Sequence, residues 1–254
     1  MFDLGGVGLL DILPFIMIGF AAQLIDGALG MAFGQISSTL LISMGVPPAA
    51  ASAGVHTAET FTTAVSGISH IAHKNVDWTL FFRLAIPGVI GGVLGAYVLS
   101  NIDASTAKPI VLAYLAALGL YLLYRGVMHR HNEREPKVVS PLGLVGGFLD
   151  AAGGGGWGAV VTSNLLVQGS SPRKTIGTVN TAEFFLTVTI SATFIVTLGW
   201  EAFTVATLGL LIGGVMAAPF GAWIAKKVDA DRLLTFVGIV LTASSAYGLY
   251  RALA

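Results

Sequence analysis

His56-Thr57-Ala58-Glu59-Thr60-Phe61 recurs 124 positions later as Asn180-Thr181-Ala182-Glu183-Phe184-Phe185. The same offset carries Asp26 onto Asp150, Gly30 onto Gly154, Phe33 onto Trp157, Gly34 onto Gly158, Gly45 onto Gly169 and Pro48 onto Pro172. Further along, an offset of 126 lays Gly95-Ala96-Tyr97 on Gly221-Ala222-Trp223, Asp103-Ala104 on Asp229-Ala230 and Tyr124-Arg125 on Tyr250-Arg251. One unit is therefore written twice, and each copy carries a glutamate inside an otherwise apolar segment.

Composition selects the solvent. Apolar residues are 55% of the chain and charged ones 10%, with 33 glycines. At a mean hydropathy of +0.83 there is too little polar surface to coat a soluble globule, so the partner is a lipid bilayer. The formal charge is zero and no basic stripe or nucleic-acid motif occurs, which argues against nucleic acid. Without cysteine there are no disulfides, no thiol catalysis and no thiolate-held metal. Met1-Phe2-Asp3 lacks the basic start of a signal peptide, so the N-terminus is expected in the mature chain.

Residues 12–44 form one apolar run, interrupted by the polar and glycine-rich patch from Gln23 to Gly30. Two arms of about 14 residues each reach about 21 Å, short of a hydrocarbon core of about 30 Å. This predicts a broken or re-entrant helical hairpin. A second hairpin is predicted over about 142–168, broken at Asp150 and at Gly153-Gly154-Gly155-Gly156-Trp157-Gly158. Irregular backbone at membrane depth is tolerated only beside protein or a water-filled cavity, and glycines let backbone approach a ligand closely. Segments 49–72, 79–100, 105–124, 175–198, 202–225 and 233–250 are each long enough to span.

The fold class that follows is an all-α polytopic membrane protein of two inverted-topology repeats, each a hairpin plus three transmembrane helices. The first repeat covers 1–124, a basic linker 125–140 and the second repeat 141–254. Arg125, Arg130, Arg134 and Lys137 mark the linker as cytoplasmic. Lys74 and Arg83, Arg173 and Lys174, and Lys226, Lys227 and Arg232 enrich three further loops, while the equivalent loops of the other copy are poorer in basic residues. An odd number of crossings per unit puts every rich loop in the cytoplasm and both termini in the periplasm. Four spans per unit would make the repeats parallel and leave basic loops on both sides.

Asp26-Gly27-Ala28-Leu29-Gly30-Met31-Ala32-Phe33-Gly34 and Asp150-Ala151-Ala152-Gly153-Gly154-Gly155-Gly156-Trp157-Gly158, followed by the His-Thr-Ala-Glu and Asn-Thr-Ala-Glu segments, resemble the TauE/SafE sulfite exporter family over nearly the whole chain. The resemblance implies a bacterial inner-membrane transporter that moves sulfite, a sulfonate or another small organosulfur anion, generally outward.

Glu59 and Glu183 lie about ten residues into their helices, roughly 15 Å from each start and near the bilayer centre. Ionisable groups at that depth mark functional sites. One reading makes them a proton-coupling pair, in which protonation is tied to anion binding because an ionised carboxylate repels the anion. The other has them bond backbone groups freed by the hairpin breaks. For Asp26 and Asp150 an N-cap of the following half-helix is the first reading and direct coupling the second. No arginine or lysine lies deep in a span, so the expected anion ligands are neutral donors and backbone: His56, Thr57, Asn180, Thr181 and the N–H groups around Gly154, Gly155 and Gly156. His56 is also the kind of residue that sits hydrogen-bonded in an interior. Phe33 and Trp157 either line the cavity or pack. Gln35, Ser38, Ser163 and Asn164 either face the cavity or bond across helices.

His129-Arg130-His131 lacks a further ligand at metal-binding spacing and reads as a solvated loop. Neither a nucleophile with an adjacent base nor a nucleotide-binding loop is present, so no enzyme, metal or cofactor is expected. A proton-coupled secondary transporter is the favoured function, against a passive anion channel or uniporter. A homo-oligomer is compatible with the composition.

Overall fold

A computed structural model describes residues 9–29, 31–127, 135–200, 205–225 and 230–253. Gly30, Arg130, Arg134, the His129–His131 cluster, Lys226, Lys227 and Asp229 lie outside them. The described residues contain helices and no strand. In chain order these are α1 (Leu9–Leu29), α2 (Phe33–Ser43), α3 (Pro48–Ala72), α4 (Trp78–Ser100), α5 (Ala104–Val127), α6 (Ser140–Gly153), one π turn (Gly158–Thr162) leading into α7 (Ser163–Val167), α8 (Pro172–Leu198), α9 (Val205–Ala225) and α10 (Ala230–Leu253).

The breaks are narrower than the sequence suggests. Helix α1 runs 21 residues straight through Gln23 and Asp26 to Leu29, and α2 starts at Phe33 after the non-helical Met31 and Ala32. Good helix formers surround the single Gly27, and one glycine costs only about 1 kcal/mol in a helix. The arms of the first hairpin are therefore unequal, 21 and 11 residues. In the second hairpin α6 continues through Asp150 to Gly153, and the chain turns at Gly154, Gly155 and Gly156, all at positive φ. Ala32, the counterpart of Gly156, holds φ 116° despite its side chain, a strained conformation kept only where surroundings over-determine it.

Four of the described helices are long and apolar enough to cross a membrane: Trp78–Ser100, Ala104–Tyr124, Arg173–Leu198 and Thr235–Leu253. Helix α3, over the 49–72 segment expected to span, has the length but a lower hydropathy. Its polar side chains point inward: Ser52, His56, Glu59 and Thr63 are buried, while Phe61, Val65 and Ile68 face out. An inside-out amphipathic helix of this kind keeps its apolar stripe for lipid.

The two units pack against each other in exchanged pairs. Helix α1 packs on α9 as α6 packs on α4, while α3 pairs with α8 and α5 with α10. A Cβ on Gly19 would stand 2.7 Å from Leu210 Cα, and one on its counterpart Gly143 would stand 2.7 Å from Leu84 O, Leu84 being the counterpart of Leu210. Helices α3 and α8 run antiparallel and meet at Thr63 and Thr187, whose hydroxyl oxygens are 3.5 Å apart. These two residues are themselves 124 positions apart. Replacing Gly147 tests the closeness of these contacts, since its Cβ would lie 2.8 Å from the Gly88 carbonyl carbon. Gly147→Ala is expected to force α4 from α6 and cost about 1–3 kcal/mol, read as a lowered thermal midpoint in detergent.

Loops from both units share one end of the bundle. Arg173 donates to Asn75 Oδ1 at 2.6 Å, and Lys174 donates to the carbonyls of Lys74 at 3.0 Å and Val76 at 3.3 Å. The end of the linker joins them nearby, where the Lys137 and Val138 N–H groups donate to Gln168 Oε1, both at 2.9 Å. At the other end Ser100 and Thr197 hydroxyls are 2.8 Å apart.

Candidate functional site

The second arm of each hairpin begins against an aspartate from the first. Asp150 Oδ1 accepts the Trp157 N–H at 2.8 Å, and Asp26 Oδ1 accepts the Phe33 N–H at 3.3 Å. Both aspartates sit near the ends of the first arms, inside the helices, and reach across the break. The spacing of seven residues is not that of an ordinary N-cap, whose side chain bonds an N–H two or three positions on. The effect is nonetheless to satisfy a donor that the break leaves open.

The breaks touch each other at the centre. A Cβ on Gly34 would lie 2.9 Å from Gly155 Cα, so the two backbones meet where neither has a side chain. Glu59, buried on α3, brings its carboxylate to this junction, against the Gly34 backbone. Ser38 donates to the Gly154 carbonyl, Ser52 to the Ala151 carbonyl at 2.8 Å, and Tyr114 to the Gly155 carbonyl at 3.3 Å. Each hydroxyl satisfies a carbonyl near the end or turn of the second hairpin, where helical bonding is interrupted.

His56 ties the same hairpin to α3. Its Nδ1 lies 2.7 Å from the Ser52 carbonyl, a contact that requires a proton on Nδ1, and its Nε2 lies 3.1 Å from Asp150 Oδ2. One proton must occupy that second contact, on the ring or on the carboxyl group. Asp150 thus bonds Trp157 through one oxygen and His56 through the other. Asn180, the counterpart of His56, instead donates along its own helix to the Ile176 carbonyl at 3.0 Å. Glu183, half-buried on α8, lies within electrostatic reach of Glu59, Asp26 and Asp150, so the acidic groups of both units converge. Among the described residues no group of three histidine or acidic side chains is arranged to hold a metal.

Other candidates are occupied differently from the expectation. Thr57 and Thr181 donate to the carbonyls of Ala53 at 2.8 Å and Gly177 at 2.7 Å, so both hydroxyl protons are used within the helices. Phe33 and Trp157 are packed in the core, 1% and 0% exposed, and the Trp157 indole N–H donates to the Val179 carbonyl at 3.2 Å. Gln35 is buried with Oε1 lacking a hydrogen-bond partner, next to the Gly34–Gly155 contact. Ser163 is buried, and Asn164 donates to the Val160 carbonyl at 2.7 Å. Ser52 and Tyr114 escaped the sequence reading. The signal for Tyr114 was a phenol midway along an apolar helix, because such a group needs a partner when buried.

Two breaks meeting amid four carboxyl groups form an interior polar centre within a shell of exposed aliphatic and aromatic residues. The family model for the sulfite exporter TauE/SafE matches residues 15–248. The chain belongs to the TauE/SafE family. This member is 45% identical over 236 residues to the "Probable membrane transporter protein YtnM" of Bacillus subtilis, covering 89% of this chain and 79% of that protein. It is 24% identical over 251 residues to a "Probable membrane transporter protein" of Haemophilus influenzae, covering 95% and 96% of the two chains. No solved structure matches it. As a TauE/SafE member the protein is a multi-pass membrane transporter and not an enzyme.

Proposed function

We propose that this TauE/SafE member is a secondary transporter exporting sulfite, a sulfonate or another small organosulfur anion across the bacterial cytoplasmic membrane, coupled to protons through Glu59 and Glu183. The observation that carries the reading is the Glu59 carboxylate lying against Gly34 at the junction of the two breaks. The N–H groups at a helix start attract anions. Here Phe33 and Trp157 offer theirs to protein carboxylates, and the Glu59 carboxylate lies against the Gly34 backbone. A substrate anion and an ionised carboxylate compete for such donors, and protonating Glu59 weakens its claim on Gly34. Anion and proton then bind together and move in the same direction; for a monoanion that movement is electroneutral, and net export is driven by the anion's own outward concentration gradient. The substrate ligands in this scheme are backbone N–H groups around Gly154, Gly155 and Gly156 with Gln35, and His56, Thr57, Asn180 and Thr181 contribute once their present bonds are released.

The arrangement of the units belongs to the same proposal. The antiparallel α3–α8 pair and the exchanged packing support two inverted repeats, 1–124 and 141–254, joined by the linker 125–140. The shared end of the Lys74, Arg173–Lys174 and Lys137 loops supports a cytoplasmic placement of that end, with both termini periplasmic.

Uptake of labelled sulfite and a panel of small organosulfonates into proteoliposomes, with and without an imposed pH gradient, tests the function. Accumulation of one anion above equilibrium, driven by the gradient, is the expected result. Flux that only equilibrates and ignores pH would replace the transporter with the channel or uniporter reading.

A further inference from the structure

A cavity of about 440 Å³ lies between α3, α8 and α9. It extends from Thr57 and Thr60, on either side of Glu59 in the chain, past Ser191 and Thr207 to Trp200 at the α8–α9 end. The Thr207 hydroxyl lines it with no hydrogen-bond partner, although the residue is only 5% exposed. A buried donor left open beside a cavity is unfavourable unless something in the cavity uses it. This end is the one where Ser100 meets Thr197, opposite the basic loops.

The repeat offsets carry each wall of this cavity to the other unit, and there the equivalent cleft is filled. Thr60 becomes Phe184, Phe61 becomes Phe185 and Thr207 becomes Phe81. The rings of Phe81 and Phe185 stand edge to face, centroids 5.6 Å apart at 75°, and those of Phe184 and Phe185 stand 5.3 Å apart at 75°. Phe81 is 6% exposed. A chiefly apolar cavity with one open hydroxyl, that of Thr207, on one side of α3 and α8 is thus matched by phenylalanines on the other, towards the end that carries Lys74 and Lys174.

We propose that the Thr57–Thr207 cavity is the open half of the anion's route and that Phe81, Phe184 and Phe185 form the closed gate of the other half. The inference rests on the transporter reading above and specifies its access path. Opening the second half requires these three rings to separate, while the first half closes by bringing α9 onto α3 and α8. The phenylalanines make the closed half dry, while the open Thr207 hydroxyl gives the other half a donor.

The chain has no cysteine, so single cysteines report access without background. The probe is a membrane-impermeant methanethiosulfonate reagent bearing a sulfonate, applied to each face of oriented vesicles. Ser191→Cys and Thr207→Cys are expected to react from the face carrying Trp200. Gly67→Cys, at the counterpart of Ser191 and with ordinary contacts for a Cβ, is expected to react at least tenfold more slowly from either face. Adding Phe184→Thr, which copies the first unit, should raise the Gly67→Cys rate from the opposite face. Equal rates for Ser191→Cys and Gly67→Cys without the phenylalanine change, or no reaction of Ser191→Cys and Thr207→Cys, would overturn the gate even if Phe184→Thr does not fold. Labelling reads geometry and needs no flux. A failed pattern with intact coupled uptake removes the gate alone, and absence of uptake removes the transporter reading.

Discussion

Glu59→Gln is expected to lower gradient-driven anion accumulation in proteoliposomes on the order of 10²-fold, the usual scale for losing a positioned proton-transfer group. Glutamine keeps the length of the side chain and a polar group against Gly34, so the junction stays assembled. It cannot take up or release a proton. Competition between side chain and anion then no longer depends on pH, and flux down the anion's own gradient survives while coupling is lost. The same change at Glu183, which faces the cluster without the Gly34 contact, is expected to weaken coupling with less effect on anion affinity. Gradient-driven accumulation at the wild-type level in both variants, with an unchanged pH profile, would return the two glutamates to a bracing role.

The second large effect is expected from Gly155→Ala. Gly155 holds φ 137°, and an added Cβ would stand 2.7 Å from both Gly34 Cα and Gln35 N. Backbone strain of about 1–3 kcal/mol and overlap of a further 1–3 kcal/mol add up where the two breaks touch. The thermal midpoint in detergent should fall steeply, and transport with it. Gly45→Ala separates the two contributions, because Gly45 also has a positive φ, 99°, yet a Cβ there meets nothing within 4 Å. It should cost about 1 kcal/mol and leave transport intact. Equal losses from the two substitutions would mean that the Gly34–Gly155 contact contributes little to the assembled junction.

The repeat explains why much of this architecture is legible in one chain. Two copies with different partners supply an internal control: Asp26 and Asp150 keep the same bond to Phe33 and Trp157, whereas His56 and Asn180 have diverged in what they contact. The position of the breaks was less legible. Polar residues such as Gln23 and Asp26 look like interruptions of an apolar run, but a helix carries them comfortably when its neighbours are helix formers and the polar groups face the interior. Helix α3 shows the converse, since its inward polar face lowers the hydropathy by which a span is identified.

Hydropathy and repeat spacing by themselves determined a membrane-embedded helical protein of two related units and the equivalence of the paired acidic residues. These are properties of periodicity and composition, which are local along the chain. Tertiary structure alone decided that Gly34 lies on Gly155, that the Glu59 carboxylate lies against Gly34, that His56 reaches Asp150 rather than a solvent cavity, and that a cleft on one side has phenylalanines at its counterpart. A helical period says which face of a segment is polar. Only the packing of α3 against α8 and both hairpins selects the partner, because that partner lies in the other unit, on a helix whose approach is governed by glycine contacts far away in sequence.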